Sequence, residues 1–180
     1  MNMQEHLSHP SFDEVDGKIN QALEQLLNHD AYLLQIDANE RAISHRLGMY
    51  LQLLFQEWHV DCEYNRNLGD PKRVKTAKGF LDPAAHTRSI AETEAITVFP
   101  DIIIHKRGTS NNLLVIEMKK TTSQVGDTFD YFKLKSFKYQ LHYPHALFLK
   151  LITNQQDVGI ALKEYMPEQD NSWILPKSKR

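Results

Sequence analysis

Residues 98–120, VFPDIIIHKRGTSNNLLVIEMKK, constrain the fold of this chain more than any other stretch. Two apolar, β-branched runs flank a polar segment, Lys106 to Asn112, that holds one Gly and two Asn. This pattern predicts a β-hairpin. Side chains alternate between the faces of a strand, so Leu113, Val115, Glu117 and Lys119 share one face and Leu114, Ile116 and Met118 the other. In the first run Asp101 shares its face with Ile103 and His105. A hairpin centred near Thr109 sets Asp101 opposite Glu117, with Cβ atoms about 4.5–5.5 Å apart. Asp101, Glu117 and Lys119 then form one cluster.

Charges within such apolar runs are costly to bury unless they are paired or hold a metal. Two close carboxylates also repel, and a hard divalent cation with oxygen ligands removes that penalty. The spacing therefore leaves two arrangements open: an Asp/Glu–Lys ion pair on a half-exposed sheet, and a cation site.

At 180 residues the chain has the length of a single domain able to bury a proper core. Apolar content of 41% and charged content of 24% are those of a soluble globular protein, and no apolar run reaches the ~18–20 residues of a membrane span. The start, MNMQEHLSHPSFDE, has neither a basic n-region nor an apolar h-region, so a cytoplasmic location is expected. The only Cys, Cys62, excludes an intrachain disulfide and a Cys-based zinc site, and is expected to pack in the core. Nine His are present, but none stands in an HExxH or similar arrangement. Formal net charge is −2, so any nucleic acid would have to meet a local positive patch.

Residues 11–28 begin with Ser11 and Glu14, a capping box, and Val15, Ile19, Ala22, Leu23, Leu26 and Leu27 follow at helical spacing. After the short apolar segment AYLLQI, a second helix is predicted over roughly 38–57, with Ile43, Leu47, Tyr50, Leu51, Leu54 and Phe55 on one stripe. Glu40 falls in the middle of that stripe. Two readings suit it: the third position of a capping box begun at Asp37, or an acid directed toward the sheet.

The segment WHVDCEYNR alternates as a half-buried strand, with Asp61 and Glu63 on one face. Residues 66–97 show little periodicity and read as a long loop or insertion, within which Lys72, Arg73, Lys75 and Lys78 cluster. Such a loop could neutralise phosphates or could simply be solvated. A helix capped by Asp127 or Thr128 is expected to run to about His142, where Pro144 ends it, and HALFLKLIT is expected to be an interior strand. VGIAL could add an edge strand and NSWIL another, with a basic, frayed PKSKR at the end.

Pro100-Asp101 followed by Glu117-Met118-Lys119 resembles the signature of the PD-(D/E)xK nuclease superfamily. NERAISHRLGMYL, DCEYNR, PDIIIHKRG, NLLVIEMKK and the D-x-x-K-L of Asp130 to Leu134 resemble a small bacterial group within it. The resemblance covers residues 37–152. It implies an α/β fold with a restriction-endonuclease-like αβββαβ core: a central mixed sheet flanked by helices, in a single domain over 1–180. Residues 1–36 would be an N-terminal helical extension, 66–97 a basic insertion and 153–180 a C-terminal extension.

The function implied is metal-dependent hydrolysis of phosphodiester bonds, with DNA the preferred substrate and an endonuclease the preferred form. Asp101 and Glu117, the backbone carbonyl of Met118 and Glu40 would hold Mg²⁺, with Mn²⁺ able to substitute. Lys119 would orient or deprotonate water. Lys72, Arg73, Lys75 and Lys78 would meet nucleic acid, and so would Lys133, unless it only ion-pairs with Asp130 one turn away. The resemblance also admits a homodimer. The competing expectations are a catalytically silent nucleic-acid-binding or regulatory module on the same fold, and a structural domain acting through protein contacts.

Overall fold

The computed structural model describes residues 9–67, 70–71, 73–77 and 93–168. Helix α1 (Phe12–His29) starts at Ser11, whose hydroxyl accepts from the Glu14 N–H at 3.3 Å, and buries the expected apolar face. AYLLQ forms a short helix, α2 (Ala31–Gln35), where the sequence shows only an apolar run. Helix α3 (Glu40–Leu54) is capped by Asn39, whose side chain accepts from Ala42 N–H at 2.8 Å. Asp37 is therefore not the cap, and Glu40 is the first helical residue rather than the third of a capping box.

Strand β1 (His59–Cys62) leads into β2 (Arg66–Asn67) paired with β3 (Asp70–Pro71), then β4 (Arg73–Ala77) paired antiparallel with β5 (Thr93–Thr97). The stretch read as a long loop thus contains two two-stranded ribbons, and the longer, β4–β5, joins segments far apart in sequence, which leaves no local periodicity to read. The predicted hairpin follows as β6 (Ile102–His105) and β7 (Asn112–Lys120), then α4 (Thr128–Gln140), β8 (His145–Ile152) and the edge strand β9 (Gly159–Tyr165). NSWIL and PKSKR lie outside the described residues.

The fold is α/β. Its five-stranded mixed sheet has the order β1-β6-β7-β8-β9, with β7 and β8 parallel and the other pairs antiparallel. One face carries Ile102, Ile104, Leu114, Ile116, Met118, Leu147 and Leu149 against α1 and α3. The opposite face carries Ile103, Val115, Ala146 and Phe148 against Phe132, Leu134 and Phe137 of α4. Alternation along β7 therefore sends each face to a different helical layer, as the pleat demands. Leu113 is the exception, joining the α1/α3 core near the register shift between Ile104 and His105. Among the described residues no helix is long and apolar enough to cross a membrane.

Helix α3 lies close to β1 at Gly48, where an added Cβ would stand 3.0 Å from Cys62 Sγ. Cys62 is not a core residue: it is exposed overall, with its Sγ directed at the Ser44 carbonyl oxygen at 3.6 Å. Burial of the sulfur, aided by the charge of Asp61, pushes the thiol up to about 11. An exposed helical Gly→Ala exchange gains about 1 kcal/mol. At Gly48 the contact opposes that gain. Gly48→Ala is expected to give no net stabilisation in the wild-type background and about 1 kcal/mol in Cys62→Ala, measured by urea unfolding. Equal effects in both backgrounds would contradict the close approach.

Candidate functional site

Strand β7 has nine residues and β6 only four, so β7 overhangs its partner. The observed register pairs Ile102 with Ile116, Ile103 with Val115 and Ile104 with Leu114. Carried one residue further, it brings Asp101 to Glu117. Beyond that point β7 has backbone donors on its β6 side but no strand to receive them, and buried donors need partners. Two carboxylates supply them: Asp101 Oδ2 accepts from Met118 N–H at 2.6 Å, and Glu40 Oε1 accepts from Lys120 N–H at 3.1 Å. The acids of α3 and of the turn before β6 therefore converge on one end of β7.

Glu117 lies on the α4 face beside Phe148 of β8 and is 0% exposed. The Lys133 ammonium of α4 donates to its Oε2, while Oε1 has no hydrogen-bond partner. Burial, then the charge of Asp101, raises the Glu117 carboxyl well above the ordinary range, with Lys133 opposing. Asp101 is raised too, by burial first, against the pull of the Met118 N–H and Lys133. Burial draws the Lys133 ammonium down, but Glu117, Asp101 and Asp130 together outweigh it and the net shift is upward.

Lys119 is buried on the same face and donates to Asp130 Oδ2 at 2.6 Å. Asp130 Oδ1 lies 3.6 Å from Lys133 Nζ. One carboxylate of α4 is thus shared by two lysines. Lys133, expected at the cleft edge as a nucleic-acid contact, has its side chain 11% exposed and turned into the acidic cluster. The reason is helix rotation: α4 sets Phe132, Leu134 and Phe137 into the sheet, and Lys133 reaches past them to the buried Glu117.

Arg73 is exposed on β4; Lys75 is on the same strand; Lys72 and Lys78 lie outside the described residues. Met118 has its side chain in the opposite core and its N–H on Asp101. Asp61 and Glu63 do not act together. Asp61 binds His105 Nε2 at 2.9 Å and Arg107 Nε at 2.8 Å, whereas Glu63 leaves the strand with φ 51° and pairs with Arg41 at 2.6 Å. Lys120 is anchored on Asp37 Oδ1 at 3.0 Å and on the Ala38 carbonyl oxygen at 3.0 Å. Asp130, central to the lysine network, was legible only as the first residue of D-x-x-K.

The donor chemistry, carboxylate oxygens with one of them buried and unpartnered, suits a hard cation. Among the described residues no group of three or more His, Cys, Asp or Glu side chains is arranged to hold a metal ion. A cleft of 620 Å³ between the start of α1 and the end of α3, lined among others by His9, Glu14, Lys18, Phe55 and Trp58, contains no member of the cluster. Compared with protein-family models, curated proteins and solved structures, the chain matches none.

Proposed function

We propose that the chain is a metal-dependent nuclease of the PD-(D/E)xK type, hydrolysing phosphodiester bonds, with DNA the preferred substrate and endonucleolytic cleavage the preferred form. The observation that carries the reading is the unpartnered, fully buried Glu117 Oε1 in a strand whose next outward residue on that face is Lys119. Support comes from topology as well: α3, β1, the β6–β7 hairpin, α4 and then β8 parallel to β7 follow the αβββαβ order of restriction-endonuclease-like cores.

Asp101 and Glu117, with Glu40 at the margin and the Met118 carbonyl, would hold Mg²⁺ or Mn²⁺. Such an ion neutralises phosphoryl oxygens and lowers the pKa of bound water. The Met118 N–H holds Asp101 at the strand edge, and burial and Lys133 hold Glu117. Lys119, held by Asp130, supplies a fixed positive charge that orients the attacking water and offsets developing negative charge. Asp130 acts through Lys119 as a positioning residue. Phosphate contacts are assigned to Arg73 and Lys75, with Lys72 and Lys78 beside them in sequence.

A second reading, a silent nuclease-fold module that binds nucleic acid, is favoured by the ammonium already seated on Glu117. The test is incubation of the purified chain with supercoiled plasmid, linear duplex, single-stranded DNA and RNA, in Mg²⁺, Mn²⁺ or EDTA. Cleavage is expected in either metal and not in EDTA. Lys119→Met is expected to lower kcat about 10²–10³-fold, the usual effect of removing one preorganised electrostatic group. Silence on every substrate, with retained salt-sensitive DNA binding, would favour the second reading.

A further inference from the structure

Lys133 Nζ stands between two carboxylates. It makes a direct hydrogen bond to Glu117 Oε2 and lies 3.6 Å from Asp130 Oδ1, an ion-pair distance beyond hydrogen-bond reach. The Phe129 ring, centroid 5.6 Å away, forms part of the ammonium's surroundings. Asp130 already receives Lys119 through its other oxygen at 2.6 Å, leaving Oδ1 as the nearest second berth. Asp101 and Glu117 together carry two formal negative charges when ionised, and Lys133 offers one positive. Glu117 Oε1 is left without a partner.

A divalent ion satisfies two carboxylates with one centre, at oxygen distances of about 2.0–2.1 Å for Mg²⁺. An ion on the unpartnered Glu117 Oε1 would sit beside the ammonium held by Oε2 of the same carboxylate, and the two cations repel strongly inside an enclosed site. On the reading of Asp101 and Glu117 as a cation site, we infer that Lys133 is a tethered counter-cation of Glu117, and that a divalent ion enters only as the Lys133 ammonium shifts onto Asp130. Asp130 then has two tasks: it positions Lys119 and receives Lys133. The D-x-x-K spacing on α4 supplies both groups from successive turns of one helix.

The test is Mn²⁺ titration of the full chain by calorimetry, with thermal unfolding in EDTA and in Mn²⁺ as a second readout. Lys133→Gln is expected to bind Mn²⁺ about tenfold tighter than wild type and to show a larger Mn²⁺-induced rise in Tm. A merely structural lysine would move affinity the other way or not at all. Adding Asp101→Asn to Lys133→Gln is expected to erase the gain, locating the ion. Asp130→Asn removes the receiving berth and is expected to weaken Mn²⁺ binding several-fold in the wild-type background but not in Lys133→Gln.

Should Lys133→Gln fail to fold, the Asp130→Asn comparison alone decides: unchanged affinity overturns the inference. Tighter binding by Lys133→Gln without nucleic-acid cleavage by any variant would sustain the counter-cation role and defeat the nuclease reading. Metal-dependent cleavage by wild type, with Lys133→Gln binding Mn²⁺ equally or more weakly, would do the reverse. Absence of Mn²⁺ binding in both overturns the inference.

Discussion

Asp101→Asn is expected to reduce metal-dependent cleavage by about 10³-fold or more while leaving the fold intact. The substitution separates the two things Asp101 does. An amide oxygen still accepts the Met118 N–H, the 2.6 Å bond that closes the overhanging edge of β7. The negative charge needed for a cation is gone. The raised carboxyl of Asp101 also means that its ionised form is held at a cost, so the neutral isostere is expected to unfold no more easily than wild type. Circular dichroism and urea unfolding check the fold, and single-turnover cleavage checks the chemistry. Loss of both together would return Asp101 to a purely structural role.

Glu117→Gln is expected to gain stability relative to wild type as pH rises, with metal absent. The Glu117 carboxyl is raised in the folded chain by burial and then by Asp101. Between the ordinary Glu pKa of about 4.3 and the raised folded value, the native state holds a proton that the unfolded chain has released. Wild-type stability therefore falls as pH increases through that window and levels off above it. Glutamine has no such titration. The gap between the proteins is therefore expected to move in favour of Glu117→Gln between pH 5 and pH 8. Urea unfolding in EDTA at the two pH values measures the gap; a gap independent of pH would mean that Glu117 titrates normally.

The hairpin register was legible because β-branched residues on both sides of a Gly/Asn turn leave few pairings that keep two faces apolar. Centring it near Thr109 already pairs Ile102 with Ile116, as observed. The interior strand β8 was legible from its continuous apolar run, and α1 from Ser11, Glu14 and its stripe. The α4 contacts were not. Its sequence, TFDYFKLKSFKYQ, mixes Lys and Ser with Phe at nearly every turn, so no stripe reveals which charged residues face the sheet.

That rotation decides that Lys133 reaches Glu117 and Asp130 receives Lys119. Glu40 was ambiguous because a Glu three residues after Asp37 suits both a capping box and an acid directed toward the sheet. The structure gives the cap to Asn39, while Asp37 sits at φ 55° and holds Lys120 and Thr122. Alternation likewise placed Asp61 and Glu63 together, but the left-handed backbone at Glu63 ends the alternation one residue after β1, and glutamate carries no signal for such a bend.

The most direct test of the account is conversion of supercoiled plasmid by the wild-type chain in Mg²⁺ and in EDTA, alongside folded Asp101→Asn. Nicking or linearisation that requires Mg²⁺ and disappears in the variant is the predicted result. A wild type that leaves plasmid intact in both conditions, or an Asp101→Asn protein that cuts as fast as wild type, would contradict the assignment of Asp101 and Glu117 as a catalytic cation site.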